Sequence, residues 1–428
     1  MGVQGRIAIH WVLKKGSSLP VSGSKSRWYF LRMSVAGMLC LHLLFFINLR
    51  DRIKLGYPDF TVFYTAATIL QAGLGHQLYD EHVQYEVQKR SVGEIASRHG
   101  PLPYIHPPFE ALIFVPLSWL AYPQAFAVWD LLNIAFLFGV TLLLRRSVTS
   151  LRLIPPWEFV LWSLAFFPIF DCFLQGQDSI LLLLLCVLGF NALKRESDVL
   201  AGCWFALGVF KFQFILPIVL LLVIWKRRRL AIGFTIVSAL LVLISAWLVG
   251  WQSLLRYPAF ALEITKSPGL GGVAAGFAPN LRGLALGLLA HFPERVGTWV
   301  GLFASIMLFL FAAMKGREAS AWKKLDLQFS LAIAVAGLIA WQTNMHDLSL
   351  LVLPLVLIVD HCLRTLAQEP RRRLFLLLPV LPVLISPLWI VLWLVGGAVN
   401  LMALPLLWWV WEISKEIAHD RAAALSRG

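Results

Sequence analysis

The chain has 428 residues, of which 59% are hydrophobic and only 14% charged, and its mean hydropathy is +0.75. Soluble domains carry about 25% charged residues, so this composition excludes a large soluble core and indicates an all-α polytopic membrane protein. The net charge of +14 does not indicate a nucleic-acid surface, because the basic residues cluster where apolar runs end, as cytoplasmic loops require.

Those clusters are Lys14-Lys15, Lys25, Arg27 and Arg32, then Arg145-Arg146, Arg152 and Lys226-Arg227-Arg228-Arg229. Further ones are Lys315 and Arg317, Lys323-Lys324 and Arg371-Arg372-Arg373. The unbroken Leu, Val and Ile runs lack the alternation of a β-barrel. Cys40, Cys172, Cys186, Cys203 and Cys362 lie in or beside apolar spans without a CxxC pair, so neither a disulfide framework nor a zinc site is expected.

In chain order, residues 1–32 read as a basic cytoplasmic segment, and Met33–Leu49 as a retained first span rather than a signal peptide. A single transmembrane catalytic domain is expected over 33–418, with 419–428 a cytoplasmic tail. Residues 50–107 form the longest polar stretch, a first outer loop carrying helical pieces at Thr61–Gln71 and Asp80–Arg90 that would lie on the membrane surface. Phe109–Leu120, interrupted by Pro116, is too short to span and reads as a half-helix or re-entrant piece.

Spans are then expected at Gln124–Leu144, Trp157–Leu174 and Ile180–Leu193. Leu200–Trp225 has both ends inside, so it reads as two short helices turning at Lys211. Leu230–Val249, Val296–Met314, Phe329–Trp341, Leu348–Leu366, Leu374–Val395 and Ala398–Ile417 complete about 12 crossings with both termini inside. Residues 250–280 read as an outer loop rich in glycine (Gly269, Gly271, Gly272, Gly276).

This topology puts the unusual polar residues on one face, away from the basic clusters. They are Asp59 at the exit of the first span, Gln175-Gly176-Gln177-Asp178, Lys211, Asn280 with Arg282, and Asn344 followed by His346-Asp347. A carboxylate beside the bilayer among aromatics marks a functional site by default. Simpler roles stand beside each reading: Asp178 as a helix cap, Lys211 snorkelling to the interface, His346-Asp347 as a helix start. His106, before Pro107-Pro108, reads as structural; His76, His82 and His99 have no ligand spacing, and the Asp80-Glu81-His82 trio is a weak metal site because adjacent helical residues diverge. Together the outer residues suit group transfer at the membrane surface, with an acid as general base and cations such as Lys211, Arg282 or His346 against a phosphate leaving group.

The block Asp59-Phe60-x-x-Phe63-Tyr64-x-Ala66, Leu78-Tyr79-Asp80, His106-Pro107-Pro108-Phe109-x-Ala111-Leu112 and Pro116-Leu117 resembles glycosyltransferase family 87. Gly176-Gln177, Ala201-Gly202, Lys211-x-Gln213 and His346-Asp347 fall where that family places similar motifs, over roughly residues 55–365 and more loosely after 250. The resemblance implies a GT-C-type fold and an inverting transfer from a polyprenyl-phosphate sugar, mannose first. The acceptor would be a hydroxyl of a glycolipid or glycan outside the bacterial cytoplasmic membrane. It implies Asp59 as general base, Lys211 at the donor phosphate and His346 at a second donor contact. Tyr64, Gln177, Asn280, Arg282 and Asp347 complete the expected substrate-binding set. Ile105 stands where members often carry an aromatic before the two prolines, a departure at the sugar or acceptor pocket. No Asp-x-Asp motif is present, so no metal or other cofactor is expected. The rival class is a transporter or flippase for a lipid-linked or anionic solute, which intramembrane Lys211 and broken helices would also suit.

Overall fold

The computed structural model describes residues 21–56, 58–92, 102–266, 275–317, 325–366, 368–385, 388, 391 and 400–425. The chain falls into two units, one ending at Asn48 and one beginning at Leu49. Among the described residues every regular element is helical. The first unit is described through helix α1 (Val21–Lys54), whose apolar stretch Trp28–Lys54 is long enough to cross a bilayer.

In the second unit, α2 (Phe60–Gln71) and α3 (Glu81–Val92) match the two helical pieces expected in the first loop. The setting of α2 differs from the expectation. Nine residues of α2 are buried, so it is packed on all sides rather than laid on a surface. Phe60 and Phe63 cause this: Phe63 stacks on Phe114 at 4.6 Å, and Phe60 meets Phe126 edge-on at 5.4 Å. The expected half-helix is α4 (Pro108–Phe114), continued by a 3-10 turn at Val115–Trp119 where Pro116 interrupts the ladder.

α5 (Tyr122–Ser147) is a full span. The expected straight span Trp157–Leu174 is instead two helices, α6 (Pro156–Ala165) and α7 (Phe167–Gln175), bent by 79°. Pro168 lies in the first turn of α7, and Phe166 takes the extended conformation that a break there requires. α8 (Ser179–Lys194) follows. α9 (Asp198–Leu207) and α10 (Phe212–Ile224) form a second pair bent by 67°, with Lys211 at the break as its position predicts.

α11 (Leu230–Val249) exposes Ile232, Ile236, Leu240, Leu243 and Trp247 along one stripe, a lipid-facing surface. The expected glycine-rich loop over 250–280 is in large part α12 (Trp251–Lys266), an amphipathic helix; Gly269, Gly271 and Gly272 lie outside the described residues. α13 (Leu281–Leu288), the span α14 (Glu294–Arg317) and α15 (Leu325–Ile339) come next. His346–Leu351 is a 3-10 turn that runs into α16 (Val352–Arg364). Of the expected span Leu374–Val395, α17 (Pro370–Leu377) and α18 (Val380–Leu384) are described; α19 (Ala403–Leu425) is the last described helix.

Among the described residues, five helices are long and apolar enough to cross a membrane, or up to seven if each bent pair is one span. The apolar helices α8 and α15 are shorter, at 16 and 15 residues. Both are almost wholly buried, so protein rather than lipid surrounds their ends. Phe190, Phe205 and Phe329 fill the contact between α8, α9 and α15. α9 and α11 cross closely at two glycines: a Cβ on Gly202 would lie 2.0 Å from the Leu230 carbonyl oxygen, and one on Gly233 2.0 Å from that of Val199. Such small-residue crossings bring helix backbones together where no hydrophobic effect drives association.

Candidate active site

α8, α10 and the turn before α16 meet at one end, and their junctions carry the polar residues. Gly176 caps α7 with φ 62°, a left-handed conformation that favours glycine. A Cβ there would also strike Phe60 at 2.6 Å. This turn sends Gln177 and Asp178 into the interior ahead of α8. Asp178 occupies the N-cap position of α8 but makes no capping hydrogen bond; its carboxylate points elsewhere.

It points to Lys211. Lys211 is 3% exposed, with Nζ 3.0 Å from Asp178 Oδ1 and 2.6 Å from Asp347 Oδ1. Nζ also donates to Ser179 Oγ at 2.6 Å, and Ser179 in turn donates to Asp347. Asp347 accepts from the Asn344 backbone at 2.8 Å, which fixes the turn at the head of α16. His346 lies between two acids, with Nδ1 3.6 Å from Asp171 and Nε2 3.6 Å from Asp347. A buried ammonium requires such partners, so Lys211 is a structural centre as well as a cation.

A cavity of about 540 Å³ opens beside this cluster. Gln177, Lys211, His346 and Asp347 line it, together with His106 and Asn344. The rest of the wall is mainly apolar, from Phe210, Phe212, Leu262 and Trp341 among others. Asp59 joins this group through Gln177, whose Nε2 donates to Asp59 Oδ2 at 2.8 Å. The Asp59 backbone N–H also donates to Gln175 Oε1 at 3.3 Å.

Three of the expected substrate-binding residues have other partners. The Tyr64 hydroxyl donates to the Leu120 carbonyl at 2.7 Å. Asn280 caps α13 through Gly283 and donates to the Ala340 carbonyl at 2.8 Å, bracing the end of α15. Arg282 lies over the Trp341 ring at 4.0 Å, so it backs the cavity wall from outside.

His106, which reads as structural in the sequence, is brought into the wall. The Tyr257, Tyr79 and Tyr104 hydroxyls donate to the carbonyls of Ile105, His106 and Pro107 respectively, at 3.2, 2.8 and 2.8 Å. Three phenols thus clasp three consecutive carbonyls. Burial pushes His106 down to about 4, leaving the ring neutral near pH 7. Its Nδ1 lies 2.9 Å from Glu110 Oε2. The signal for this pair in the sequence was the i, i+4 spacing of His106 and Glu110 across Pro107-Pro108; Tyr257, 152 residues from Ile105, had none.

The arrangement can orient an acid at Asp59 beside a cavity that joins a polar head, with Lys211 and His346 in its lining, to apolar walls. Such a shape suits a lipid bearing an anionic group. No curated protein and no solved structure matches the chain. The pattern of glycosyltransferase family 87 matches residues 104–426, which takes in His106, Gln177, Lys211 and His346 but not the Asp59 segment. That match extends further toward the C-terminus than the motifs read from the sequence, and it spans most of the chain: this protein belongs to glycosyltransferase family 87.

Proposed function

We propose that the protein is an inverting glycosyltransferase of the GT-C type that takes a sugar, mannose first, from a polyprenyl-phosphate donor. The observation that carries this reading is the cavity with Lys211 and His346 at its head and apolar walls behind them. The polyprenyl chain would lie along Phe212 and Leu262, and the phosphate would face Lys211 and His346. Asp59, held by Gln177, is the general base that deprotonates the acceptor hydroxyl, so that the oxygen attacks the anomeric carbon and polyprenyl phosphate leaves. The acceptor is a hydroxyl of a glycolipid or glycan.

The direction of the helices supports an outward-facing site. α5 runs from Tyr122 to Arg145-Arg146, α8 from Ser179 to Lys194-Arg195, and α10 from Lys211 toward Lys226–Arg229. The last segment, from His346 through α16, ends at Arg364. Each begins near the candidate site and ends on basic residues. With basic ends inside, the site faces the outer side of the cytoplasmic membrane.

Photolabelling tests the donor assignment. A polyprenyl phosphate with a photoreactive group in its first isoprene should label α10 or α12 peptides of the reconstituted protein, and excess polyprenyl-phosphate mannose should protect them. Labelling confined to other helices, or protection by a nucleotide sugar alone, would contradict the assignment.

A further inference from the structure

The interior behind the His106 wall contains more acid than its cations balance. Glu110 and Asp178 are both 0% exposed. The two carboxyl groups are hydrogen-bond neighbours of each other and Glu110 also meets His106 at 2.9 Å, but none of their oxygens receives a hydrogen bond of good geometry from a cation or a backbone N–H. The Lys211 contact to Asp178 Oδ1, at 3.0 Å, is an ion pair whose angle is not that of a hydrogen bond. Buried polar atoms are rarely left this way, and each such case calls for a cause.

A ring nitrogen of His106, one oxygen of Glu110 and one of Asp178 lie within 4.8 Å of one another. We propose that His106, Glu110 and Asp178 bind a divalent cation of the manganese or zinc class. Imidazole nitrogen with carboxylate oxygen is a donor set such ions take.

Two further observations fit the ion. The site is built on a rigid frame: the tyrosine clasp fixes the backbone of His106, Pro108 opens the helix that carries Glu110, and the Gly176 turn fixes Asp178. Charge favours the same ion. Around Lys211 there are three buried carboxylates, Glu110, Asp178 and Asp347, and one ammonium, with the His346–Asp171 pair beside Asp347. A divalent cation offsets this acid and leaves Lys211 less tied to Asp178. An anionic lipid phosphate then meets a less acidic surface, a consequence that rests on the glycosyl-transfer reading, whereas the ion site stands on its own geometry. The expectation of metal-free chemistry came from the missing Asp-x-Asp motif; ligands at 106, 110 and 178 form no such linear motif.

The test is Mn2+ binding to the full-length protein in nanodiscs after EDTA treatment, read by electron paramagnetic resonance. One tightly bound Mn2+ per chain is expected, with a nitrogen coupling in the pulsed spectrum from the His106 ring. Glu110→Gln and Asp178→Asn should each weaken binding more than about tenfold, and His106→Gln should abolish the nitrogen coupling. Asp80→Asn, in the exposed acidic trio, should leave both readouts unchanged. Should the carboxylate variants fail to fold, the nitrogen coupling in the wild-type protein decides alone. No bound Mn2+, or Mn2+ bound without nitrogen coupling, overturns the site and leaves Glu110 and Asp178 sharing a proton. Sugar transfer by a protein that binds no ion would sink this inference only; Mn2+ bound as expected without transfer from any lipid donor would sink the transferase reading and leave the ion site standing.

Discussion

Gln177 donates its side-chain amide to Asp59 at 2.8 Å, joining positions 118 residues apart. The bond gives the acid a fixed orientation that neither segment supplies alone. Gln177 is itself held: its backbone carbonyl accepts from Trp129 Nε1 and from Asn133 Nδ2. Asp59 is therefore tied, through one glutamine, to the wall of the cavity and to α5.

Replacing Gln177 by Leu should lower turnover about tenfold with little change in melting temperature, since one hydrogen bond to a charged group is worth about 1.5–3 kcal/mol at most. The effect should fall on kcat more than on the donor KM, because Gln177 positions the base. Steady-state transfer assays with varied donor separate the two. Equal activity in this variant would show that Asp59 is oriented by other contacts.

Lys211 holds Asp178 and Asp347 together in the interior. Lys211→Met should strand both carboxylates and cost about 3–5 kcal/mol of stability, as removing one partner of a buried ion pair does. Adding Asp347→Asn to that variant should recover part of the loss. Lys211→Arg keeps the charge but not the point-like ammonium, and should raise the donor KM while preserving the fold. Thermal unfolding in detergent and donor titrations check these outcomes. A stable, fully active Lys211→Met protein would contradict both roles.

The tyrosine clasp predicts a graded response. Tyr257→Phe removes the bond to the Ile105 carbonyl and should cost about 1 kcal/mol. Combining it with Tyr79→Phe should lower transfer further, because Tyr104 is then the last of the three phenols bonded to these carbonyls. Unchanged transfer in the double variant would mean that the clasp serves stability and not the site.

The sequence reading and the structure agree where the cause is local. The turn at Lys211 followed from a segment with basic residues at both ends and a charge at its middle. The half-helix at Phe109–Leu120 followed from its length and Pro116. The 79° break between α6 and α7 has little signal in the sequence, because Trp157–Leu174 is apolar throughout and only Pro168 marks the bend. α12 lies in a stretch whose glycines after residue 268 give the whole segment the composition of a loop. Within the site, Gln177, Lys211, His346 and Asp347 come together as co-location on one face implies. Tyr64 and Asn280 do not, since tertiary partners (the carbonyls of Leu120 and Ala340) take up their polar atoms. For Glu110 the only local sign is its i, i+4 spacing from His106; that it also faces Asp178, 68 residues away, depends on tertiary packing.

The crossing of α9 and α11 depends on the absence of side chains at Gly202 and Gly233. Gly202→Val should force the helices apart, since even a Cβ there meets backbone rather than a movable side chain. A fall in melting temperature and loss of a monodisperse peak on size-exclusion chromatography are expected. Gly276→Ala, where a Cβ meets nothing within 4 Å, is the control and should behave as wild type.

The decisive measurement is transfer of labelled sugar from polyprenyl-phosphate donors, mannose first, by the purified protein and its Asp59→Asn variant. Turnover by the wild type is expected, with a loss of about 10²–10⁴-fold in the variant, the range a general base supplies, and donor binding retained. Full activity in Asp59→Asn would remove the base. No transfer from any lipid donor, with movement of that donor across reconstituted vesicles instead, would replace the enzyme by a transporter.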